Sequence, residues 1–366
     1  SVARVATAIR NDEATVVSVA VRSTVLAGGK ILATVESPAA VPAGKMHNLD
    51  QEIAVAPARL WSLDDPFLHV LRTEIVHDGR IDDTLETSFG FRTIAVDAVH
   101  GFRLNGATVK LKGGCVHHDC GILGSAAHAR AEERKVALLK ASGYNAIRCA
   151  HNPPSQAFLD ACDRLGMLVI DEAFDCFRHG KNLGDYSLSF EDWWQRDLAA
   201  MVLRDRNHPA VVMWSTGNEI VARNGWSDGA VWARRLAEHV RSLDTTRPVT
   251  NALCDLWEEI QLSPSSDTPA LALTRWKKTD GFAAPLDVVG YNYLLRRYEQ
   301  DATQYPGRVI CATETFPKDA FDGWTATERL AHVIGDFVWT SLDYLGEAGI
   351  GHSAFGEETH GLKPFP

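Results

Sequence analysis

No apolar run in these 366 residues reaches the length of a membrane span, and no signal peptide is legible. The seven cysteines are scattered, odd in number and without a Cys-x-x-Cys pair, which excludes a disulfide framework and a zinc knuckle. Several of them sit in apolar runs, where a thiol serves as a small core residue. No block or stripe of Lys and Arg interrupts the net charge of −10. Neither a nucleic acid nor a membrane is therefore expected as a partner. Internal repeats and low-complexity segments are also missing. The chain starts at Ser1 without a Met and ends at Phe365-Pro366 without a helix terminator, as expected of a fragment, so the compartment stays unassigned.

What is present fits a soluble globular protein: 45% hydrophobic residues can fill a sizeable core, and 23% charged residues is ordinary. The length has room for a barrel and a smaller module. A mildly acidic surface is compatible with neutral substrates such as sugars.

Residues 1–95 alternate with period two, as in Val17-x-Val19-x-Val21 and Ile53-x-Val55, between turn signals at Gly28-Gly29, Pro42, Pro57 and Asp78-Gly79. That pattern predicts a small antiparallel β-sandwich without a catalytic cluster. Over residues 96–366 the texture becomes strand followed by helix. Eight strand candidates end near His118, His151, Glu172, Ser215, Leu253, Tyr293, Thr313 and Thr340. Helices are expected over residues 131–142, after Pro153-Pro154-Ser155 and over 191–206, and another carries Trp232, Leu236, Val240 and Leu243 on one face. The prediction is an α/β fold, a (β/α)8 barrel lacking its last helix, preceded by the sandwich.

The organising stretch is Ala210-Val-Val-Met-Trp-Ser-Thr-Gly-Asn-Glu219, a continuous apolar run that stops at a polar turn. Strands buried on both faces read this way, and chemistry in barrels sits where such strands end. Arg308-Val-Ile-Cys-Ala-Thr-Glu314 repeats the design and delivers a second carboxylate. Two carboxylates on one rim are the minimum equipment for cleaving a glycosidic bond. The other strand ends bring His117-His118-Asp119, Arg148, His151, Asp171-Glu172, Asn218, Asn292-Tyr293 and Trp339, with Asp343 beyond. A metal-hydrolase reading of His117, His118, Asp119 and His179 lacks the His-x-His spacing it would need.

These segments resemble glycoside hydrolase family 2, the retaining β-galactosidase, β-glucuronidase and β-mannosidase group. The resemblance is carried by Phe89-Gly-Phe-Arg92, Lys112-Gly-Gly-Cys-Val-His-His118, Asn145-Ala-Ile-Arg-Cys-Ala-His-Asn-Pro-Pro154, Asp163 to Ala173, Arg204-Asp-Arg-Asn-His-Pro209, Trp214-Ser-Thr-Gly-Asn-Glu219, Gly290-Tyr-Asn-Tyr293 and Gly335-Asp-Phe-Val-Trp-Thr340. It implies that the sandwich is immunoglobulin-like and that the family's N-terminal jelly roll is absent. It also implies Glu219 as general acid/base and Glu314 as nucleophile, in a double displacement through a covalent glycosyl-enzyme. Arg148 and Tyr293 would pair with Glu314 and favour its anion. Asn218 would bind the sugar 2-hydroxyl, His118 and His151 other hydroxyls, and Trp339 would offer its face to the ring. Asp171 and Glu172 are expected to hold Arg148.

Larger β-galactosidases of the family carry a magnesium-binding acid where this chain has Cys176, so no cofactor or metal is expected. The Asp343-Tyr-Leu-Gly-Glu347 continuation and the His-His-Asp loop resemble bacterial galactosidase-like members, which implies terminal β-galactosides as substrate. β-Glucuronidase and β-mannosidase are the alternatives, with Lys181-Asn182 as the candidate for holding a uronic carboxylate. A non-catalytic glycan-binding scaffold is the reading from another class. A homo-oligomer stays open.

Overall fold

The computed structural model describes residues 1–118, 120, 123–256 and 269–342. Asp119, Asp343 and the continuation to Glu347 lie outside the described residues. Two compact units are present: Ser1–Arg92 with Asn207–Pro209, and Thr93–Arg206 with the described residues from Ala210 on.

The first unit is an immunoglobulin-like sandwich of six strands: β1 (Val2–Arg10), β2 (Val17–Ala27), β3 (Lys30–Val41), β4 (Met46–Ala54), β5 (His69–His77) and β6 (Arg80–Phe89). β1 pairs antiparallel with β4, and the second sheet runs β3-β2-β5-β6. Because side chains alternate across a strand, residues four apart share a face. Val5 and Ile9 of β1 accordingly meet Val25 and Val21 of β2, in two buried clusters completed by Ile53, Val55, Phe91, Ala39 and Val41. Gly28-Gly29 joins β2 to β3 and Asp78-Gly79 joins β5 to β6, with positive φ at all four positions. Two-residue turns of that hand match the twist of a hairpin, which is why glycine sits there.

The second unit begins with a small antiparallel sheet, β7 (Ile94–Asp97), β8 (Gly101–Leu104) and β9 (Ala107–Thr108), that the sequence reading did not anticipate. A closed parallel barrel follows: β10 (Leu111–Val116), β11 (Ala146–Cys149), β12 (Leu168–Glu172), β13 (Val211–Asn218), β14 (Val249–Leu253), β15 (Val288–Asn292), β16 (Ile310–Thr315) and β17 (Val333–Leu342). β11 to β16 are buried along their whole length, as strands lined by side chains inside and helices outside must be.

The helix Gln156–Leu165 shows why the punctuation was readable. Ser155 accepts the Phe158 amide as N-cap, and Gly166 closes the helix at φ 69°. Phe158, Ala161 and Cys162 are buried beneath it. The next helix, Ser187–Asp205, starts earlier than the expected 191, since exposed Leu188 gives no periodic signal there.

Candidate active site

The C-terminal ends of the barrel strands hold a buried polar cluster centred on Arg148. This residue lies inside the barrel on β11 and is fully buried. Its guanidinium grips Glu172 on β12 through Nε at 3.0 Å and Nη2 at 2.8 Å. Nη1 donates to Glu314 Oε1 on β16 at 2.8 Å, and Nη2 donates to Asn218 Oδ1 at 2.9 Å. Such forked contacts to two carboxylates suit the planar guanidinium and fix its neighbours in place.

Glu219 follows β13 with a φ of 43°, its amide bound to the Ala252 carbonyl at 2.8 Å. Asn292, at the end of β15, ties it to the cluster by donating to Glu219 Oε1 and to Asn218 Oδ1, each at 3.0 Å. Tyr293 also has positive φ, and its amide donates to the Glu314 carbonyl at 2.8 Å. Its hydroxyl donates to the Glu314 carboxylate. A continuous chain of contacts therefore runs Glu219–Asn292–Asn218–Arg148–Glu314.

The electrostatics follow from these contacts. Burial works to raise the Glu172 carboxyl, but Arg148, His151 and Ser215 more than reverse it and hold it at about 2. Glu314 goes the other way: burial raises its carboxyl above the ordinary value despite Arg148 and His151, and the charge of Glu219 adds to the rise. Arg148 and Tyr293 thus touch Glu314 where the sequence reading put them, yet burial outweighs the guanidinium. Burial and Glu314 together push the Tyr293 phenol well above its usual range, so it stays a donor.

Trp339 is half-buried, stacked at 5.0 Å and 6° on His151. The face expected for a sugar is in part taken by that imidazole. His151 is bound through Nδ1 to Glu172 Oε1 at 2.7 Å, and its Nε2 lies 3.3 Å from Asn218 Nδ2 and 3.8 Å from Glu314. His118 is outside this set, lining a small cleft with Glu132, Lys135 and Asn152. The neighbour His117 borders the same cleft and also stands edge-on to Trp339 at 5.0 Å. His179, from the metal reading, packs against Trp226 and Ser227.

Asp171 requires a correction. It does not hold Arg148: successive residues of a strand point to opposite faces, so Glu172 enters the barrel while Asp171 faces outward to Asp205, Arg204 and Arg247. Burial and Asp205 raise its carboxyl well above the ordinary value.

From the sequence Asn292 and His117 are rim residues without an assigned role, and Asp175 is not singled out. Asn292 had a signal, as the last residue of an apolar strand beside Tyr293. Asp175 carries no signal in the sequence, since its role rests on a contact the fold creates: its Oδ1 accepts from Asn218 Nδ2 at 3.0 Å.

Residues 2–92 match the sequence profile of glycosyl hydrolases family 2, and residues 94–265 match that family's TIM barrel domain. The chain belongs to glycosyl hydrolase family 2. A beta-galactosidase of Bacteroides ovatus is 32% identical, over 95% of this chain and 48% of its own length. A beta-glucuronidase of Paenibacillus borealis is 27% identical, over 81% of this chain and 54% of its own. A crystal structure of a family 2 member from Bacteroides cellulosilyticus has a TM-score of 0.87 and 43% identity, covering 96% of this chain and 43% of that one. The chain spans about half the length of these family 2 relatives.

Proposed function

We propose that this family 2 chain carries the catalytic centre of a retaining exo-β-glycosidase acting on terminal β-galactosides. The observation that supports it is the contact chain from Glu219 to Glu314, two carboxyl groups brought to one buried rim from different strands. In the first step the Glu314 carboxylate forms a bond to the anomeric carbon as the bond to the leaving oxygen breaks. Glu219 gives that oxygen its proton. In the second step Glu219 takes a proton from water, the water oxygen bonds to the anomeric carbon, and the ester to Glu314 breaks. Arg148 and Tyr293 donate to Glu314 and orient it for attack on one face of the ring.

Galactoside is preferred to glucuronide because Lys181, the candidate for binding a uronic carboxylate, is already paired with Asp175 at 2.6 Å. The relatives include both a beta-galactosidase and a beta-glucuronidase by name. Magnesium does not suit the residues at its expected place. The Cys176 thiol is pushed up to about 11 by burial, and Arg178 beside it is paired with Asp228 and Glu191. The steps above use only the two carboxyl groups.

The test is a panel of nitrophenyl β-glycosides on the full-length protein, with the product anomer read by proton NMR at early times. β-Galactoside turnover releasing β-galactose first is the expected result. An α-anomer first would contradict retention, and turnover of the glucuronide alone would overturn the choice of sugar.

A further inference from the structure

Lys181 and Asp175 lie in the loop that follows β12, on the rim that carries Asn218. The Lys181 ammonium donates to Asp175 Oδ1 at 2.6 Å and to the Asn218 carbonyl at 3.0 Å. The same Oδ1 accepts from Asn218 Nδ2 at 3.0 Å. One carboxylate oxygen therefore holds both the cation and the amide that precedes Glu219. Asp175 Oδ2 accepts no hydrogen bond from the described residues, and the side chain is 41% exposed against 22% for Lys181. The carboxylate is thus the more exposed member of the pair, and the ammonium is held by two acceptors of the rim.

Resting on the glycosidase reading above, we infer that Asp175 and Lys181 form a charge lock that selects the sugar. Asp175 Oδ2 accepts a hydroxyl of the ring bound against Asn218, while Oδ1 withholds Lys181 from a uronic carboxylate. An ammonium in contact with one carboxylate has little attraction left for a second, and the exposed oxygen repels any anion brought beside it. Selection here works by refusing the wrong ligand as much as by binding the right one. Replacing Asp175 with its amide removes the repulsion and frees Lys181 together, and both changes favour a uronide.

The experiment compares full-length wild type, Asp175→Asn, Lys181→Met and the double variant on nitrophenyl β-galactoside and β-glucuronide. The glucuronide-to-galactoside ratio of kcat/KM should rise at least tenfold in Asp175→Asn, and the double variant should lose at least a third of that gain on a logarithmic scale. An unchanged ratio in Asp175→Asn, or a gain kept in full by the double variant, overturns the inference. Lys181→Met alone gives a second test that does not need the Asp175 variant to fold. The lock predicts a ratio within threefold of wild type, and a selective tenfold loss of glucuronide turnover would show that Lys181 was available all along. Failure of folded wild type to turn over either substrate would instead remove the glycosidase reading itself.

Discussion

The inner and outer faces of the barrel both bury carboxyl groups, and the partners each group meets decide the sign of its shift. Inside, Glu172 is held at about 2, because Arg148, His151 and Ser215 overcome the cost of burial. Outside, Asp336 is raised to about 6 by burial, which hydrogen bonds from Thr315 and the Phe337 amide offset only in part. Asp171, next to Glu172 in the chain, also faces outward and is raised well above its ordinary value. Burial alone favours the neutral acid; only a cation placed in contact reverses the sign. In the lumen Glu314 shares Arg148 with Glu172, yet keeps a raised affinity for its proton because burial outweighs the guanidinium.

The largest expected effect comes from breaking the inner pairing. Arg148→Met would leave Glu172 buried without its main partner, a change that costs about 3–5 kcal/mol in comparable sites. It also strips a donor from Glu314, so kcat should fall on the order of 10² to 10³. Thermal melts and nitrophenyl glycoside kinetics on the same preparation check both. A melting temperature unchanged from wild type would mean that the inner face is not organised by this residue.

A smaller effect of opposite sign sharpens the contrast on the outer face. The folded value of Asp336 lies above its ordinary 3.8, at about 6. Its contribution is therefore fully present below 3.8 and lost as pH rises through 6. Asp336→Asn removes that loss, so the variant should be more stable than wild type at pH 7 to 8 by up to about 3 kcal/mol. The difference should vanish near pH 4. Denaturant titrations across that range measure it, and a constant offset at all pH values would count against burial as the cause.

The same contrast explains what could be read from the sequence. The barrel strands were legible because most open on short apolar runs, and the carboxylates at 219 and 314 stood out by ending such runs. The sandwich was legible from period-two alternation and the paired turn residues at 28–29 and 78–79. Parity was not legible within an acidic pair: nothing in Asp171-Glu172 says which side chain enters the lumen, and a shift of one residue exchanges their roles. His117 and His118 pose the same problem where the strand gives way to a loop. Asp175 was hidden for another reason. Its importance lies in contacts to Lys181 and Asn218 that only the folded loop brings together.

The central claim is that Glu314 is the group that bonds to sugar. Incubating the full-length protein with a 2-deoxy-2-fluoro β-galactosyl fluoride and mapping the adduct by peptide mass spectrometry tests it most directly. The account predicts one covalent sugar per chain, attached to Glu314, and no adduct in Glu314→Gln. A label on Glu219 or on any other residue would contradict it, as would turnover of the reagent with no covalent species at all.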